Sequence, residues 1–163
     1  MRLSGDTEGL SEEGIAEAER AANHLKKQLA GEPLVRIIAS PRKRTLETAS
    51  VIATALDINE EDIEQDERLT ERNCEPYLGK LIADTFSKSE EELVAGGMES
   101  LDILYTRTKD FYTELVASNL PGNILLVGHS GNLAPLVFAT KHARLGDAID
   151  VPILPLDEAI RLY

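Results

Sequence analysis

Ile124-Leu125-Leu126-Val127-Gly128-His129-Ser130-Gly131-Asn132 carries the chain from four apolar residues, through a glycine and a histidine, into a Gly/Ser turn. An apolar run this short, bounded by turn formers, reads as a buried strand of a parallel sheet. Leu133, Leu136, Val137 and Thr140 beyond the turn suggest a further helix. A strand that passes to a helix through a glycine turn puts the turn residue at the carboxyl edge of an α/β sheet, where ligands bind. His129 is therefore the first candidate site residue, since an imidazole held there can donate to a phosphoryl oxygen. The competing reading is a structural histidine satisfied within its turn.

Working back from this strand, Pro121-Gly122-Asn123 is the turn into it, and residues 100–118 read as a helix with Leu101, Leu104, Tyr105, Thr108, Tyr112 and Leu115 inward. Residues 10–29 have the same period, with Ile15, Ala18, Ala22, Leu25 and Leu29 on one stripe, Ser11 as N-cap, and Gly31 and Pro33 as the stop. Residues 34–39 read as a short buried strand, and Ser40-Pro41 opens a second helix reaching to about Leu56, with serine able to cap and proline able to take the first helical position. Its core stripe is Leu46, Ala49, Ile52, Ala53 and Leu56. The acidic residues 59–67 read as a solvated loop with a short strand around Ile63. Residues 73–97, with Pro76, Gly79, Gly96 and Gly97 and an amphipathic piece at 90–95, suggest a loop or lid. Residues 159–163 suggest a last strand. Strands alternating with helices predict one three-layer α/β/α domain over residues 1–163, with a mainly parallel sheet.

A chain of 163 residues suffices for one domain with a core of its own. Its apolar runs are too short to span a bilayer, it opens without a signal-like stretch, and the single cysteine, Cys74, can form no intrachain disulfide, so a cytoplasmic location is expected. Seventeen basic against 29 acidic residues leave a net charge of -12, which argues against nucleic-acid binding. A small anionic ligand needs a local basic cluster, and Arg36, Arg42, Lys43 and Arg44 supply one.

Arg44, near the start of a helix that follows a strand, can fork onto phosphate oxygens while helix amides add to the anion site; the alternative is a surface arginine in a basic turn. Glu71, between Arg68 and Arg72, can act as a proton donor if burial raises its pKa; otherwise it is a salt-bridged surface carboxylate. Gly128–Asn132 brushes against the G-x-S-x-G elbow of serine hydrolases, but Asn132 stands where its last glycine belongs, and His142 follows Ser130 too closely for the order Ser, acid, His. His24 and His142 read as polar-face residues and Cys74 as a buried or loop thiol. No metal-ligand spacing is present, and nothing calls for a metal or organic cofactor.

In this order the segments resemble the histidine phosphatase superfamily, in its phosphoglycerate-mutase-like branch. Residues 2–6 and 9–14 look like the stretch that follows the family's nucleophile loop and opens its first helix. Ser40-Pro41-Arg42-Lys43-Arg44-Thr45 with Thr48-Ala49 is similar to its S-P-x-x-R-x-x-x-T-A phosphate motif, Arg68-Leu69-Thr70-Glu71-Arg72 to its R-L-x-E-R stretch, Gly97-Met98-Glu99-Ser100 to its G-G-E-S turn with one residue inserted, and Val127-Gly128-His129-Ser130-Gly131 to its second-histidine motif. The resemblance implies Arg44, His129 and Gly5 as phosphate ligands, Glu71 and His129 as catalytic residues, and Ser130, Tyr77 and Lys80 as substrate contacts. It implies a small phosphorylated substrate and hydrolysis of phosphomonoesters through a phosphohistidine.

The family's opening strand ends in R-H-G, whose histidine attacks phosphorus, and no R-H-G occurs in these 163 residues. The expectation is a chain clipped before its nucleophile and inactive as written; the alternative is a pseudophosphatase that binds a phosphorylated ligand or a protein partner. The absent strand would lie mid-sheet beside the His129 strand, and the edges left open favour pairing with a second copy as a homodimer. Glu75 stands where the family has a glycine, and the stretch from 80 to 97 is short for a mutase lid, which favours hydrolysis over mutase action.

Overall fold

The computed structural model describes residues 8–133. Its first helix, α1 (Glu12–Leu29), starts where the Ser11 hydroxyl accepts the Gly14 N–H at 3.1 Å. Glu12 and Glu13 in the first turn and Lys26 and Lys27 in the last match the helix dipole at both ends. Ala30 and Gly31, both with positive φ, turn the chain out of the helix toward strand β1 (Leu34–Ala39). The buried stripe is Ala18, Ala21, Ala22, Leu25 and Leu29, while Ile15, expected inward, is exposed.

Strands β1, β2 (Ile63–Gln65) and β3 (Asn123–Val127) form a parallel sheet in the order β2-β1-β3. Parallel pairing requires crossover connections, which α2 (Lys43–Ala55) and α5 (Leu101–Ala117) help to supply. Ile37, Ala39, Leu125 and Val127 face α2, and α1 packs on the same side, its Leu25 and Leu29 against Ile52 of α2. Ile38, Ile124 and Leu126 face the other way, onto Leu69, Phe111, Leu115 and Leu133. The result is the three-layer arrangement expected from the alternating pattern. The register slips between Leu34 and Arg36, where Val35 is an extra residue opposite β3; the bulge lets Leu34 join the face of Ile37 although their spacing is odd. Among the described residues no strand pairs with the outer edge of β3, and Ile124, Leu125 and Leu126 are only half-buried there.

Three further sequence expectations are corrected. Helix α2 is capped at Arg42, without a side-chain bond, and not at Ser40. Ser40 is fully buried, with its hydroxyl against His129 and accepting the Arg42 N–H at 3.4 Å, and its carbonyl accepting from Thr45 Oγ1, so it sits just ahead of the helix. On α5 the fully buried residues are Leu104, Thr108 and Phe111, with Leu115 half-buried beside Phe111, and Phe111 is absent from the expected stripe. Residues 73–97 are more ordered than a loop: they hold α3 (Ile82–Phe86) and α4 (Glu90–Ala95) over a small cluster of Tyr77, Leu93 and Met98. Five-residue α3 is too short to show a period. A capping box at Ser89 and Glu92 starts α4, and the Glu90 carboxylate receives both Arg72 and the Leu101 N–H, joining α4 to the start of α5. The helix expected around 133–140 and the strand at 159–163 lie outside the described residues, apart from a helical start at 130–133.

Candidate active site

The carboxyl ends of all three strands converge. After β1 the chain gives Ser40 and, in the first turn of α2, Arg44; after β2 it makes a 3-10 turn (Glu67–Leu69) and reaches Glu71; after β3 it gives His129. The main chain ties these ends together, with Ser40 N–H donating to Val127 O and Asp66 N–H to Ala39 O. This is the edge of a parallel sheet where ligands bind.

Arg44, Glu71 and His129 meet there. Arg44 Nη2 lies 3.2 Å from His129 Nδ1 and 3.4 Å from Glu71 Oε2, and the same carboxylate oxygen is 3.4 Å from Nδ1. The imidazole is buried, its other nitrogen, Nε2, 3.0 Å from Ser40 Oγ. Arginine can only donate, so Nδ1 accepts and the ring proton sits on Nε2, directed at Ser40. Because a hydroxyl both donates and accepts, Ser40 can serve either tautomer.

Burial first, and then the positive charges of Arg44, Arg42 and Arg107, push the His129 pKa down to about 3, so the ring is neutral at pH 7. Glu71 moves the other way: burial raises its carboxyl above the usual range, against the pull of Arg44. A neutral imidazole and a carboxyl whose hold on a proton is strengthened by burial, both beside a guanidinium, form a set that can receive an anion and take part in proton transfer to it. Arg42, Lys43 and Arg44 crowd the positive end of α2, whose first turn has no acidic residue, an arrangement that a bound anion relieves.

Beside this trio opens a cavity of about 340 Å³, lined by Pro41, Arg42, Glu67, Thr70, Glu71, Asn73, Glu99 and Arg107. Glu71 belongs to both, whereas Arg44 and His129 do not line the cavity. Arg107 is locked to Glu99 by bonds of 2.8 and 3.0 Å, and Arg72 to Glu90 by bonds of 2.7 and 2.8 Å.

The other sequence candidates fall elsewhere. Tyr77 is buried against Leu93 and Met98 with its hydroxyl near the Glu92 and Leu93 carbonyls, and Lys80 lies over its ring at 4.6 Å; neither lines the cavity. Apolar packing claimed the tyrosine ring, and the ring claimed the lysine. Ser130 is exposed one residue past His129, and Gly5 lies outside the described residues. His24 pairs with Gln28 on α1, and burial holds the Cys74 thiol above its usual pKa. Sequence reasoning missed Ser40, Asn132 and Arg107. Only Ser40, inside the phosphate-like motif, carried a signal that could have found it.

The fold and its sheet-edge constellation define an α/β protein with a candidate phosphate site. The chain belongs to the histidine phosphatase superfamily (branch 1), whose sequence profile matches residues 2–156. Among solved structures it is similar to mycobacterial glucosyl-3-phosphoglycerate phosphatase, at 26% identity and TM-score 0.66, over 85% of this chain and 72% of that one. It is also similar to Bacillus stearothermophilus YhfR, at 25% identity and TM-score 0.73, over 94% and 78%. A phosphoglycerate mutase from Bacillus anthracis shares the fold at 19% identity and TM-score 0.65, over 85% and 71%. No curated protein sequence matches the chain. Among the described residues no helix is long and apolar enough to cross a membrane, and no group of acidic, cysteine or histidine side chains could hold a metal ion.

Proposed function

We propose that this chain carries the phosphate-binding and proton-donating part of a phosphomonoesterase site for small phosphorylated molecules. The observation that supports this best is the meeting of Arg44, His129 and Glu71, far apart in sequence, at one sheet edge. In this reading a phosphoryl group enters between Arg44 and His129. The guanidinium forks onto two of its oxygens, and the dianion draws a proton onto His129, raising its pKa from about 3. Ser40 accepts from Nε2–H in both the neutral and the protonated ring. Glu71, holding its proton toward the cavity, protonates the leaving oxygen as general acid.

No R-H-G occurs in the 163 residues, so the attacking group of a phosphohistidine mechanism has no counterpart among them. The reading is therefore that these residues alone bind phosphate without turning over phosphomonoesters, which is also the behaviour of a pseudophosphatase.

Titration calorimetry of the full chain with orthophosphate, run beside a p-nitrophenyl phosphate assay, tests it. Saturable binding is expected, weakened about tenfold to a hundredfold in Arg44→Ala, the scale of hydrogen bonds to a charged group. No hydrolysis above the buffer rate is expected. Absent binding, or binding indifferent to Arg44→Ala, overturns the site; hydrolysis by the purified chain overturns the claim that it lacks a nucleophile.

A further inference from the structure

We infer that Asn132 is a positioning residue that holds the Glu71 carboxyl group at the His129 ring by clamping the loop of one to the turn of the other. The inference deepens the proposed phosphate site and rests on that reading.

Asn132 is fully buried. Its amide oxygen accepts the His129 N–H at 3.0 Å, and its amide nitrogen donates to the Leu69 carbonyl and, at 3.1 Å, to the Thr70 carbonyl. An amide side chain offers an acceptor on one branch and two donors on the other, and all three are used here. Arg107 holds the same loop from the α5 side, donating to the Arg68 carbonyl at 2.6 Å and the Glu71 carbonyl at 3.1 Å. Four consecutive carbonyls, those of residues 68 to 71, thus accept from side chains, in a segment past the end of β2 whose own backbone gives it little regular pairing.

The two clamps differ in reach. Arg107 is fixed by Glu99 and grips the loop alone, whereas Asn132 grips both the loop and the backbone of His129. Glu71 is carried on that loop, and its carboxylate lies against Gly131, one residue before Asn132. The 3.4 Å separation of Glu71 Oε2 from His129 Nδ1 is in this way set through one amide. Other charges facing His129 come from Arg44, Arg42 and Arg107.

Asn132→Asp separates the two arms. The acceptor toward His129 N–H survives, but a carboxylate oxygen then faces two carbonyl oxygens, and the loop arm is lost. The experiment uses the full chain as wild type, Asn132→Asp, Asn132→Ser and Leu25→Ala, the last a control in the packing between α1 and the sheet. For each, thermal melting, the His129 ring titration by NMR and orthophosphate binding by calorimetry are measured.

Asn132→Asp, and Asn132→Ser, which adds no charge beside the ring, are both expected to weaken orthophosphate binding about tenfold and to move the His129 titration upward from about 3 toward its ordinary value, as the ring is opened to water. Leu25→Ala is expected to melt earlier and to change neither. An Asn132→Asp or Asn132→Ser protein that keeps both wild-type values, or a Leu25→Ala protein that shifts them equally, overturns the inference. If wild type fails to bind orthophosphate, the phosphate reading fails, while the comparison of His129 titrations still decides the positioning role. If Asn132→Asp does not fold, Asn132→Ser, too short to span both partners, is read by the same criteria.

Discussion

At the scale of single residues, the site depends on what lies against the Glu71 carboxyl. A Cβ built at Gly131 would come within 2.9 Å of Glu71 Oε1, closer than carbon and oxygen tolerate. The carboxylate is the free end of a flexible side chain and gives way. Gly131→Ala is therefore expected to fold with little change or up to about 1 kcal/mol more stably, since alanine suits a helix better than glycine. It should swing Glu71 away from His129, bring the Glu71 pKa down toward the ordinary carboxyl range, and weaken orthophosphate binding. Carboxyl carbon NMR titration and a thermal melt check this; an unchanged Glu71 titration would sink it. The sequence marked Arg44, Glu71 and His129 because their motifs are local. It could not mark Asn132 or Arg107, because a buried asparagine and a helical arginine look the same wherever their partners lie.

Among elements, α2 packs on β1 through small side chains. Ala39 on the strand and Ala49 and Ala53 on the helix are fully buried in one cluster, so small side chains set the distance between the layers. Ala49→Leu adds three carbons where no space is left, and overpacking of this kind costs about 1–3 kcal/mol. Urea unfolding should register that loss, and because α2 carries Arg44 in its first turn, orthophosphate binding should weaken with it. A variant as stable as wild type would mean that the layers separate freely. The helices and strands with a strong period were legible: α1, β1, α4 and β3 lie within about two residues of the sequence reading. Its failures were tertiary in origin. Helix α2 starts past Ser40, whose hydroxyl meets both His129 and the Arg42 N–H, α5 turned so that Phe111 meets Ile38 and Leu69, and the bulge at Val35 restored a face that alternation alone would have lost.

For the whole molecule, the buried imidazole links the fold to pH. In the unfolded chain His129 takes up a proton as pH falls through 6.5, whereas in the folded chain it resists until about 3. Its contribution to stability is thus complete above pH 6.5 and declines as pH falls below it, by at most about 1.4 kcal/mol per unit. Glu71 works in the opposite sense: its folded pKa is raised, so the unfolded chain ionises first and stability falls as pH rises past 4.5 toward the folded value. Urea melts at pH 7 and pH 5 should find the wild type weaker at pH 5. His129→Gln should lose that dependence and Glu71→Gln should steepen it; a His129→Gln profile parallel to wild type would refute the assignment. By itself the sequence determined the longer helices, the parallel sheet, the family and the candidacy of Arg44, Glu71 and His129, since periodicity, capping and short motifs are written in neighbouring residues. Only the tertiary structure decided that Arg44 lies beside Glu71 and His129 across separations of 27 and 85 residues, that Tyr77 and Lys80 pack away from the cavity, and that burial lowers the pKa of the imidazole while raising that of the carboxyl. Distances between remote segments and the exclusion of water arise only when the layers close, and pKa values follow from both.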